Sequence, residues 1–137
     1  MGYEIEFYKT ESGRDPVSDF IKTLDKKHAA KIYQNIGMLR DFGDGLHFPY
    51  VDYIKGEKYK GLMELRTIQS KNIFRIFYFV VVSDDERKVK KAVLLHAIQK
   101  KTNRTPKKEL DTALARMKEY KARGAIKWTI LKDTWQT

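Results

Sequence analysis

Three segments between residues 59 and 99 alternate apolar and polar side chains, and the connections between them are short enough for hairpins. "YKGLMELRTI" (59–68), "NIFRIFYFVVV" (72–82) and "KAVLLHAIQ" (91–99) are rich in the β-branched and aromatic residues that suit a pleated, half-buried surface. "QSK" joins the first pair and "SDDERK" the second. A parallel crossover needs a dozen or more residues, usually a helix. The chain is therefore committed to an antiparallel three-stranded meander, and everything else has to pack around it.

What precedes the meander reads as one strand and two helices. "YEIEFYK" (3–9) alternates like a strand. "RDPVSDFIKTL" announces a helix, with Asp15 as N-cap, Pro16 at the first helical position, and Val17, Phe20, Ile21 and Leu24 on one stripe. "AAKIYQNIGMLRDFG" repeats the pattern through Ala29, Ile32, Ile36 and Leu39, with Gly43 closing it. The two predict a helical hairpin, and residues 44–58 predict a long surface loop.

After the meander, "RTPKKELDTALARMKEY" predicts a C-terminal helix. Thr105 is its expected N-cap and Pro106 its first residue; Leu110, Ala113, Leu114, Met117 and Tyr120 form the stripe, and Gly124 is the expected stop. The order is that of a compact α+β domain over residues 1–124. Residues 125–137 predict an extension packed on the same domain, where alternating Ile126, Trp128 and Ile130 suggest a short strand.

The formal net charge is +10, which concerns partners more than fold. From Arg87 to Lys108 there are nine Lys and Arg and no Asp or Glu, so the excess gathers around the last strand and the helix start. Lys107 and Lys108 sit in a first helical turn, where the helix dipole disfavours cations by a few tenths of a kcal/mol. Positive charge placed against that preference points to an anion-binding face. Without cysteine there are no disulfides. "MGYEIEFYKT" lacks the basic and apolar regions of a secretory signal, Glu6 spoils a myristoylation motif, and "FYFVVV" is too short to span a bilayer. The expectation is a cytoplasmic protein without a membrane role.

Candidate site residues follow from alternation across the meander. If Gln69 pairs with Asn72, Arg66 lies opposite Arg75, and Glu64 shares their face. If Ser83 then pairs with Lys88, His96 joins the same row. Two opposed arginines repel, and need an acidic neighbour or an anionic ligand. Glu64 can serve as the first; an RNA phosphate suits the second, because the guanidinium fork matches it. His28 and His47 lie at a helix start and in a loop without metal-ligand spacing, so neither a metal nor a cofactor is expected. Aromatic residues of the 47–59 loop are of a type that stacks on unpaired bases.

Together, "KGLMELR", "NIFRIFYFV" and "VLLHAIQKKTNRTPKKELDTALARMKEY" resemble the RelE/ParE superfamily of toxins, and within it the phage-derived, HigB-like branch of type II toxin–antitoxin systems. The resemblance spans about residues 3–122 and is strongest from 60 to 120. It implies an antiparallel sheet flanked by a helical hairpin and a C-terminal helix. It also implies ribosome-dependent cleavage of mRNA without metal, and neutralisation by a cognate antitoxin, typically a helix-turn-helix DNA-binding protein. By that resemblance the substrate-handling and catalytic roles fall to Arg66, Arg75, His96, Lys100 and Lys101; Glu64 is expected to join the catalytic group as an orienter of the arginines, and Arg104, Lys107 and Lys60 to extend the RNA-binding face. The ParE branch implies an alternative, a non-nuclease toxin that inhibits gyrase. Several ribosome-dependent relatives carry a His or Tyr close to the C-terminus; this chain continues past Tyr120 through Trp128 and Trp135 with no His.

Overall fold

The computed structural model describes residues 2–83, 85–101 and 104–136, with side chains through Gly124. The elements run β1 (Glu4–Phe7), α1 (Pro16–Lys22), α2 (Lys26–Phe42), β2 (Val51–Tyr53), β3 (Met63–Gln69), β4 (Asn72–Val82), β5 (Lys90–Lys100) and α3 (Lys107–Gln136). The strands form one sheet in the order β1-β5-β4-β3-β2, in which only the β1–β5 pair is parallel. The α+β class and the central meander are as expected.

Local chemistry sets the helix ends. Asp15 accepts the Ser18 N–H at 3.1 Å and Asp25 that of His28 at 2.9 Å, each satisfying a donor that the first turn leaves open. Gly43 closes α2 with φ 51°, its N–H bonded to Leu39 O. α1 lies against β5 and α2 against β3, so the pair covers one sheet face. Val17, Ile21, Ile32 and Leu39 meet Leu65, Ile76 and Leu94 there. On the other face, Ala113, Leu114 and Met117 of α3 pack on Phe77, Phe79, Val93 and Leu95. A fully buried Leu or Met stabilises by roughly 1.5–3 kcal/mol. α3 is therefore a firmly seated roof over that face.

Three expectations about the connections need correction. The 44–58 stretch is not all loop: β2 pairs Val51 with Leu65 and Tyr53 with Met63, and three residues are too few to show alternation. Thr105 does not cap α3. The helix begins at Lys107, with Leu110 N bonded to Pro106 O, and the Thr105 hydroxyl is turned to Arg75 instead. Gly124 does not stop α3, which continues to Gln136 where a strand was expected. One helical glycine costs about 1 kcal/mol, and a glycine caps a helix by taking the left-handed conformation. Gly124 is not among the glycines with positive φ. The expected packing of the 125–137 extension lies outside the described side chains.

The register places the candidate site. The first hairpin is as expected: Ser70 takes φ 56°, Gln69 faces Asn72, and Arg66 faces Arg75. The second is not. The turn closes at Val89, whose carbonyl accepts from Ser83 N at 2.8 Å, so Val82 faces Lys90. A bulge beside Phe77 and Tyr78 then adds another residue on β5. Arg75 thus lies opposite Ile98, and His96 opposite Phe77. Either slip alone would have turned His96 to the far face; together they return it. His96 shares the arginine face but not the arginine row.

Candidate functional site

Glu64 is 2% exposed, and an unpaired carboxylate at that depth would be prohibitively costly. Both of its oxygens are matched. Arg66 places Nε and Nη2 2.9 and 2.7 Å from Oε1, and Arg75 places Nη1 2.8 Å from Oε2. Of the two ways to relieve the opposed arginines, the acidic neighbour is therefore present. Asp52, opposite Glu64 on β2, adds a second carboxylate 3.3 Å from Arg66 Nη2. Arg75 Nη1 also donates to Thr105 Oγ1 at 3.0 Å, tying the sheet to the approach of α3. Arg75 Nε is buried without an acceptor.

Pairing does not neutralise this corner. Lys100 lies opposite Ile73, two residues beyond Ile98, and so shares the face of Arg75. Burial lowers its ammonium pKa, as do the charges of Arg75 and Arg66; Glu64 opposes them. With Arg66, Arg75 and Lys100 against Glu64 and Asp52, one positive charge remains, and an incoming anion would relieve it.

The other predicted RNA contacts divide. Lys100, Lys101 and Arg104 line one groove of about 470 Å³ beside β5, together with Phe20, Pro106 and Glu109. Lys107 is exposed at the start of α3, within electrostatic reach of Asp111. Lys60 is not brought to this group: it lines a separate hollow with Tyr53, Gly56 and Leu62.

His96 is held under α3. Its Nδ1 accepts from Arg116 Nη1 at 3.0 Å, which makes Nε2 the protonated nitrogen, donating to Glu109 Oε2 at 2.5 Å. The ring stacks on Phe77, centroids 6.2 Å apart. Burial lowers the His96 pKa; the Glu109 bond works against that and the Arg116 charge with it. The neutral form is thereby favoured.

Sequence reasoning missed the site roles of Glu109, Arg116, Thr105 and Asp52, and gave Phe48 no more weight than the other aromatic residues of the 47–59 loop. Glu109 reads as an ordinary first-turn acid, yet it and Arg116 stand one heptad apart on a helix face, the spacing that lets both reach one residue beneath. Phe48 stands at the apex of a turn, its ring 5.3 Å from the Arg66 guanidinium carbon.

Residues 19–118 match the family described as Phage derived protein Gp49-like (DUF891). The chain belongs to this family. The Gp49-like proteins are a phage-derived, RelE/HigB-like toxin family, related to endoribonuclease toxins. The matched span takes in α2, the strands β2 to β5 and the first turns of α3, and with them every candidate site residue. No curated protein and no solved structure matches the chain. Among the described residues, no helix is long and apolar enough to cross a membrane.

Proposed function

We propose that this Gp49-like chain is the toxin of a type II toxin–antitoxin pair, a metal-independent, ribosome-dependent mRNA endonuclease of the cytoplasm held in check by a cognate, DNA-binding antitoxin. The observation behind this reading is the sheet face on which two half-buried arginines are oriented by one buried carboxylate, with a half-buried lysine of raised acidity beside them. Such an arrangement is preorganised for phosphate and costs no reorganisation when charge develops.

The chemistry requires little from the protein. The RNA 2′-hydroxyl attacks the adjacent phosphorus and the bond to the 5′-oxygen breaks, leaving a 2′,3′-cyclic phosphate and a 5′-hydroxyl. The phosphoryl oxygens gain negative charge on the way. Arg66 and Arg75 stabilise that charge, Lys100 does so from the third strand, and Lys101, Arg104 and Lys107 hold flanking phosphates. Glu64 orients the arginines. One proton leaves the 2′-oxygen and another reaches the 5′-oxygen. Glu109, which faces the groove, takes the first proton and returns one to the 5′-oxygen, while the His96 Nε2–H bond holds its carboxylate in place and Arg116 fixes the ring.

One observation favours a second reading. Both oxygens of Glu64 and both nitrogens of His96 are engaged in the free protein, which suits a rigid, non-catalytic surface, as in a ParE-like toxin directed at gyrase. Induction in growing cells followed by mapping of RNA 5′ ends separates the two. New ends inside translated messages are expected, and Arg66→Ala should reduce them by about 10²–10³-fold while Arg75 still holds Glu64. Growth arrest with DNA damage and no new RNA ends would sink the nuclease reading.

A further inference from the structure

Phe48 is 70% exposed, more than any other large apolar or aromatic side chain named as exposed among the described residues. Single exposed rings are common and need no explanation; the surroundings of this one do. The turn that presents it is closed by Tyr50 N and Val51 N, both bonded to His47 O at 3.0 and 3.4 Å. Tyr50 O in turn accepts Arg66 N at 2.7 Å, fixing the turn to β3 beside the arginines. Arg66 then lies over the ring at 5.3 Å, within the range of a cation–π contact. One guanidinium thus touches the buried carboxylate on one side and an aromatic ring in water on the other. The ring is held in place, and most of it is left free.

From this geometry we infer that Phe48 is a stacking platform for an unpaired nucleobase, seating the nucleotide whose phosphate lies against Arg66. This deepens the RNA reading above and rests on it. Single-stranded nucleic acid is held by a charged track for its backbone and aromatic faces for its bases, and here the two adjoin. A ring stacks on any base, so the platform adds affinity and places the nucleotide without dictating sequence.

The test uses the full chain and two fluorescent decamers: a single-stranded 2′-O-methyl RNA of mixed sequence, which cannot cleave itself, and the same backbone without bases. Binding is followed by anisotropy at low salt. Phe48→Ala should weaken the base-bearing decamer by about five- to a hundredfold and leave the abasic one unchanged, while Phe48→Trp restores binding. Tyr53→Ala is the control. Tyr53 is 64% exposed, but it lies opposite Met63, whose side chain packs into the core under α1 and α2, so its loss should change neither. Arg66→Ala should weaken both decamers. If Phe48→Ala binds both like the parent while Arg66→Ala loses them, the platform is refuted and the phosphate grip stands. If the parent binds neither decamer, both readings fall.

Discussion

Replacing Glu64 by Gln keeps the size of the side chain and removes the one charge shared by Arg66 and Arg75. The side chains are 3%, 20% and 11% exposed respectively, so the change leaves two guanidinium groups opposed across β3 and β4 with little water between them. Breaking a buried ion pair by removing one partner costs about 3–5 kcal/mol. Asp52 still reaches Arg66 and both arginines keep some solvent, which lowers the expected cost to about 2–4 kcal/mol. At this chain length 1 kcal/mol moves the melting temperature by about 4 °C, so thermal unfolding followed by circular dichroism should shift down by roughly 8–16 °C.

The same substitution should expose a demand for an anion. Sulfate bound between the arginines at a hundred times its dissociation constant returns about 2.7 kcal/mol. Sulfate also stabilises proteins generally by exclusion, so the quantity to read is the gap between variant and parent, with chloride at equal ionic strength as the reference. The gap should close by more than half in sulfate and little in chloride. A variant that melts within about 2 °C of the parent would show that Glu64 is not the counter-charge described. A gap that sulfate and chloride close equally would refute the idea that these arginines seek an oxyanion.

The pH behaviour follows from Lys100 and His96. Because the Lys100 pKa is lowered, its charge is lost at a less alkaline pH than usual; RNA affinity should fall with rising pH below the ordinary lysine range, and Lys100→Arg, measured by anisotropy, should remove that fall. The His96 pKa is also lowered, so its contribution to stability is fully present above the unfolded value near 6.5 and declines as pH drops from there through the folded value. Urea denaturation from pH 7.5 to 4.5 should show that decline in the parent and a smaller one in His96→Asn. Phe77→Ala, at a position with no exposure, should cost about 3–5 kcal/mol in the same assay and loosen the seat of His96.

How much of the site could be read in advance depends on how local its determinants are. Arg66 and Arg75 face each other because a two-residue turn leaves the first hairpin almost no freedom, and "QSK" is visible as a string of letters. The second hairpin has a longer turn and a bulge, and neither Val89 nor Leu95 advertises its part. Alternation nevertheless predicts the correct face for His96, because two register errors cancel. Its partners were beyond reach for a different reason. Glu109 and Arg116 meet it only once α3 has docked, and docking is decided by Ala113, Leu114 and Met117 against the sheet. Glu64 posed the opposite problem: its neighbours were known, but not that it would be sealed from water between them. That burial changes the chemistry most. An exposed Glu64 would be a free base on a sheet; a sealed one aims two guanidinium groups in fixed directions and, in the proposed reaction, leaves proton handling to groups nearer the groove. The acid–base assignment therefore turns on how tightly α3 is seated, a property of packing that no motif in the strands encodes.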